Sequence, residues 1–138
     1  MATAADAELV LRLYELRREE TLRKARRFLV FDFNPKTVDE LRVVSRDTKS
    51  EHNPSWRQAL SYWEMAASFV LRGALDADLF MDSSAEGILL YAKFHHFHAE
   101  TEKQSGNPFM GKTAELIAKY PTAKARYEVL LKNFGVAK

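Results

Sequence analysis

An all-α bundle of about six or seven short helices is the fold this sequence predicts, and three observations predict it. Apolar residues recur at helical spacing along nearly the whole chain, whereas the strict alternation of a half-buried strand is scarce. Proline and glycine number only 4 and 5 among 138 residues, too few for the hairpin turns of a β architecture. The stretch from Pro54 to Arg72 is apolar over so wide an arc that only a helix covered on most sides can use it, which places it at the centre of an irregular bundle. The length suits one domain over residues 1–138, and 46% hydrophobic with 29% charged residues is the composition of a chain with a real core.

Taken in order, the first apolar segment runs from about Ala7 to Phe31 and carries two stripes. Leu9, Leu13 and Leu16 share one; Leu22, Ala25 and Leu29 lie nearly opposite. One straight helix cannot aim both at one core, so the spacing predicts two helices broken within residues 17–21. Asn34-Pro35 ends the second. Thr37 and Glu40 have capping-box spacing for a short helix through Val44, and residues 45–52 read as a loop. Asn53 is the expected N-cap and Pro54 the first residue of the central helix, with Gly73 just past its end. Asp76 caps a short turn, and Ser83 or Ser84 caps one helix reaching Gln104. Asn107-Pro108 opens the next helix, Pro121 stops it, and Thr122 caps the last, with Gly135 beyond.

Composition excludes several function classes. Without cysteine there is no disulfide, thiolate nucleophile or cysteine metal site. The opening residues lack a secretory pattern and no stretch is apolar enough to span a bilayer, so a cytoplasmic setting is expected. A net charge of +2 does not by itself imply a polyanionic partner.

Four constellations invite a chemical reading. His95, His98 and Glu102 sit at i, i+3 and i+7 of the expected helix, within about 60° on one face, and His with carboxylate at that spacing can ligate a divalent metal. Glu64 is a conceivable further ligand from the central helix. No His-Glu-x-x-His is present, and histidines flanking a core stripe such as Leu90, Phe94 and Phe97 are as a rule hydrogen-bonded packing residues, so packing takes precedence. Arg17, Arg18, Arg23, Lys24, Arg26 and Arg27 form a basic run. They scatter around the wheel, and Glu19 and Glu20 stand four residues before Arg23 and Lys24, which favours exposed ion pairs over a nucleic-acid-reading face. Trp56 and Trp63 fall on the core arc, where each buried indole N–H needs an acceptor. Finally, residues 106–113 match the Walker A pattern from Gly106 to Gly111-Lys112-Thr113. The loop needs a preceding strand and free backbone donors, and here a helix precedes and Pro108 removes a donor. No serine-nucleophile elbow occurs, so no catalytic residue is assigned.

Leu13-Tyr14-Glu15-Leu16, Leu22 to Arg26, Trp63 to Phe69 and Leu71-Arg72-Gly73-Ala74-Leu75-Asp76 with Leu79 together resemble an uncharacterised bacterial all-helical family. The likeness covers about two-thirds of the chain. It implies a compact helical domain of unknown function and carries no residue roles. Members of that family often have an N-terminal membrane helix, which this sequence does not show.

The leading expectation is a non-enzymatic protein-interaction module that binds itself, since apolar residues such as Phe31 and Leu89 point away from the main stripes. No cofactor is expected. The alternatives are a metal-binding protein or metal-dependent enzyme using His95, His98 and Glu102, and a nucleic-acid binder using Arg23, Arg26 and Arg27.

Overall fold

The computed structural model describes residues 1–134, and the predicted position of Gly135 past the last helix lies outside them. Among the described residues there are helices and no strands. The elements are α1 (Ala4–Arg18), α2 (Glu20–Arg27), a π-helical turn (Phe28–Asp32), α3 (Val38–Ser45), α4 (Asn53–Leu71), α5 (Ala77–Ser83), α6 (Glu86–Lys93), a 3₁₀ turn (His95–Phe97), α7 (His98–Ser105), α8 (Gly111–Lys119) and α9 (Pro121–Asn133). No helix among them is long and apolar enough to cross a membrane.

The central helix is where the sequence puts it. α4 packs against α2, α3, α6 and α8, and buries Trp56, Ala59, Tyr62, Trp63, Ala66, Ala67 and Val70. It stops as expected: Gly73 takes φ +81°, a left-handed conformation that costs glycine little. The Gly73 N–H then reaches Val70 O and the Ala74 N–H reaches Phe69 O, a Schellman arrangement. α6 crosses α4 at Gly87, where an added Cβ would lie 3.1 Å from Trp63 Cβ. α9 closes the bundle by packing on α6 and α8.

The break between α1 and α2 falls inside the predicted window. Glu19 makes it without glycine or proline: its carboxylate accepts from the Thr21 and Leu22 N–H groups at 3.0 and 3.1 Å, capping α2. Having done so, it does not form the expected pair with Arg23; only Lys24–Glu20 closes, at 2.9 Å on the open surface. At the chain start Thr3 and Asp6 form a capping box that the sequence reading missed.

Several caps differ from expectation. Asn53 is not the cap of α4: it is buried, donates to Val44 O at 2.8 Å and accepts from Arg57 Nε at 2.8 Å, tying α4 to the end of α3. Thr37 does cap α3, but Glu40 returns its bond to Lys36 N rather than to Thr37. Ser83 and Ser84 end α5, and α6 begins after Ala85 without a side-chain cap. Thr122 lies inside α9, next to Pro121 at the first turn.

The largest departure is the segment expected as one helix to Gln104. It is broken at Phe94 into α6, the 3₁₀ turn and α7. In an unbroken helix the Ala92 carbonyl would accept from the residue 96 N–H. Here the His95 ring Nδ1 bonds it at 2.8 Å, and Phe94 turns wholly inward. With this break and an α5 of its own, the described chain has nine α-helices instead of six or seven.

Candidate functional site

The break sets His95, in the 3₁₀ turn, apart from His98 and Glu102, which stay one turn apart on α7. His95 bonds Ala92 O and its ring lies 3.7 Å from that of His96. His98 is sandwiched between Tyr91 and Phe109, with ring centroids at 4.1 and 4.9 Å. Glu102 accepts from the Phe109 N–H at 2.8 Å and so holds the loop before α8. The single helical face that would have carried all three is not formed, and among the described residues no three His, Asp or Glu side chains group as a metal site.

Burial pulls His98 down to about 4, against a smaller upward pull from its hydrogen bond to the Tyr91 carbonyl. A histidine whose folded value lies below its unfolded one stabilises the fold only while neutral. That stability is complete above pH 6.5 and is lost as the pH falls toward 4. His95 is shifted the same way, chiefly by burial. Unfolding free energy is therefore expected to fall from pH 6.5 toward 4, beginning above the range in which carboxylates titrate, and the slope above pH 5 should be shallower in His98→Gln. Urea titrations at stepped pH check this; an unchanged slope would remove His98 as the cause.

The Walker-like segment has its anion already. Glu64, from the middle of α4, accepts from Lys112 N at 2.9 Å, Thr113 N at 2.9 Å and Thr113 Oγ1 at 2.7 Å. A carboxylate of the chain thus occupies the place where a phosphate would meet the α8 N-terminus. This also delays the helix start from the expected Pro108 to Gly111.

The basic run gives the most developed surface feature. Contrary to the expected scatter, Arg23, Lys24 and Arg27 project together, and the π-helical turn continues their strip with Val30 and Phe31. They line an open groove of about 340 Å³ with Arg26 and Glu86 at its base. Phe31 is 67% exposed, the most exposed aromatic ring among the described residues, with the Arg27 guanidinium 5.9 Å from its centroid. Lys93 supports the turn from beneath, donating to Leu29 O at 2.6 Å and Val30 O at 3.2 Å; burial lowers it to about 8.

Arg26 is the exception in the run. It turns inward and grips Glu86 with two bonds, Nε at 2.7 Å and Nη2 at 2.9 Å, while Nη1 reaches Arg17 O at 3.1 Å. Trp63 Nε1 donates to the same carboxylate at 3.1 Å, the acceptor that a buried indole required. Beside it the buried Tyr62 hydroxyl donates to Leu13 O, and burial pushes its ionisation up to about 12. The groove therefore stands on a rigid polar base joining α1, α2, α4 and α6. A wider groove between α4 and α8, about 550 Å³, carries Arg72, Lys112 and Lys119 but no aromatic wall.

Fold and groove define an all-helical domain with a basic, aromatic-edged surface groove. The chain belongs to the family described as a domain of unknown function, DUF4760, whose model matches residues 2–120. No curated protein and no solved structure matches it.

Proposed function

We propose that this chain is a cytoplasmic, non-enzymatic helical interaction module that binds a second copy of itself, seating an acidic surface in the α2 groove. The observation that carries the reading is the exposed Phe31 ring framed by Arg23, Lys24 and Arg27. A solvated ion-pair face has no use for an exposed aromatic, whereas aromatic and Arg side chains are the pair enriched where proteins dock. Charge complementarity points to the partner. α5 exposes Asp78 and Asp82, two carboxylates one turn apart on the same helix. A two-fold pairing can then match each groove to the other copy's α5. The carboxylates of Glu19, Glu20 and Glu86 interrupt the basic strip, which suits a short acidic patch better than a nucleic-acid backbone.

Native mass spectrometry and sedimentation over a concentration and salt series test it. A dimer that dissociates with added salt is expected, and Phe31→Ser should weaken it about tenfold or more. The Arg23→Asp, Arg27→Asp variant and the Asp78→Arg, Asp82→Arg variant should each be monomeric, yet dimerise when mixed. A chain that is monomeric up to millimolar concentration, or swapped variants that do not recover pairing, would refute the reading.

A further inference from the structure

The π-helical turn that displays Phe31 has a local cause, and such turns are rare and frequent at functional sites. Two carbonyls decide it. In an α-helix the Phe33 N–H would donate to Leu29 O and the Asn34 N–H to Val30 O. Lys93 Nζ already holds both oxygens, at 2.6 and 3.2 Å. The Phe33 N–H goes instead to Phe28 O, at 2.8 Å, and that bond closes the π turn. Five residues past Val30 stands Pro35, which has no N–H, so the π register offers Val30 O no backbone donor either. Phe31 O, the next acceptor, is served by Asn34 Nδ2 at 3.1 Å.

α6 delivers the lysine. Glu86 is its first residue and Lys93 its last, two turns along one helical face. Glu86 grips Arg26 in α2 and Lys93 grips the turn that follows, so α6 clamps this segment at two points with opposite charges. Among the described residues no carboxylate lies within ion-pair distance of the Lys93 ammonium. Its charge is met by carbonyl oxygens at a helix C-terminus, where a cation is favoured.

We propose that Lys93 is a positioning residue that sets the register of this turn and, through it, the display of Phe31. With Lys93 engaged the turn is π-helical, and the Phe31 ring stands 67% exposed in the groove wall. With both carbonyls released the Phe33 N–H moves one residue, to Leu29 O. The turn then closes over one residue fewer, and Phe31 rotates about the helix axis, out of line with Arg23 and Arg27. The consequence for binding rests on the self-association reading above; the register does not. Packing is the rival cause, since Phe28 stacks on Phe33 at 5.3 Å and on His52 at 4.2 Å. If those rings fix the turn, the lysine is dispensable.

Scalar couplings across hydrogen bonds, read by NMR on the full chain, separate the two. In the parent the Phe33 amide nitrogen should couple to the Phe28 carbonyl carbon, and Lys93 Nζ to those of Leu29 and Val30. In Lys93→Met, which keeps an apolar stem and removes the donors, the Phe33 coupling should pass to Leu29. The Phe31 ring protons should then lose most of their relaxation by a soluble paramagnetic probe, and self-association should weaken about tenfold. Lys93→Arg, which keeps the charge and the donors, should retain the parent register and the Phe31 exposure. A Phe33–Phe28 coupling that persists in Lys93→Met, one that is lost equally in Lys93→Arg, or an unchanged Phe31 relaxation would each overturn the proposal. The parent couplings need no variant to fold: an Nζ that couples to neither carbonyl would overturn it outright. A chain that never self-associates would refute the reading of the groove and leave these couplings as they are.

Discussion

Phe94→Ala should lower the unfolding free energy by about 3–5 kcal/mol, the largest single-residue effect expected in this protein. Phe94 is fully buried at the end of α6, where the chain leaves the helix. Its ring meets Phe33 at 5.9 Å, Trp56 at 5.4 Å and Phe109 at 6.3 Å. It therefore joins the exit of the π-helical turn, the first turn of α4 and the loop before α8. None of these can slide into the void alone: Phe33 is held by its N–H to Phe28 O, and Phe109 by its N–H to Glu102. Collapse is thus restricted, and restricted collapse is what drives such substitutions to the upper end of their range. Phe94→Leu keeps most of the volume and should cost about 1–2 kcal/mol. Urea unfolding with the slope unchanged between variants measures both. A cost below about 1.5 kcal/mol for Phe94→Ala would mean that the aromatic cluster relaxes and is not the keystone of the α6–α7 break.

How far the sequence carried is explained by where each signal resides. The α4 helix was legible because burial on most sides leaves a wide apolar arc in the chain itself, and Gly73 marks its end through its own backbone freedom. The α1–α2 break was legible from the opposed stripes of Leu13 and Leu22, although the agent, Glu19, was not. The break at Phe94 and the late start of α8 left no local trace. They are set by side chains finding backbone groups: the His95 ring at Ala92, Glu102 at Phe109, and Glu64 on α8 from 48 residues away. The metal face drawn on a continuous helix loses His95 at that break, while His98 and Glu102 keep their places one turn apart on α7. Half of the groove was visible as Arg23, Arg26 and Arg27. So was the outward turn of Phe31, which lies off its helix's main stripe; the capture of Arg26 by Glu86 was not, since the partners are 60 residues apart. The one hint was Trp63, whose indole demanded an acceptor without naming it.

That acceptor supplies the second large effect. Glu86→Ala should cost about 2–4 kcal/mol. The carboxylate receives three donors, and both members of the pair are largely enclosed, at 20% and 19% side-chain exposure. Removing it strands a guanidinium and an indole N–H that water reaches poorly, and breaking such a pair from one side is far more harmful than replacing both sides. The Arg26→Met, Glu86→Leu double variant should accordingly recover most of the loss. It should fall short of the parent by about 1 kcal/mol, the cost of the Trp63 N–H still left without an acceptor. A double-mutant cycle in urea reads the coupling directly, and additive losses would show that the two side chains act independently. The same variants separate stability from recognition. In Glu86→Ala the groove loses a negative charge and gains a mobile arginine, so it should hold an acidic partner more tightly at low salt while the fold itself is weaker. In the double variant Arg26 is gone with Glu86, the net charge of the base is unchanged, and the affinity should return to that of the parent. A domain that binds better as it becomes less stable would place Glu86 as the residue that restrains the groove as well as the one that anchors it.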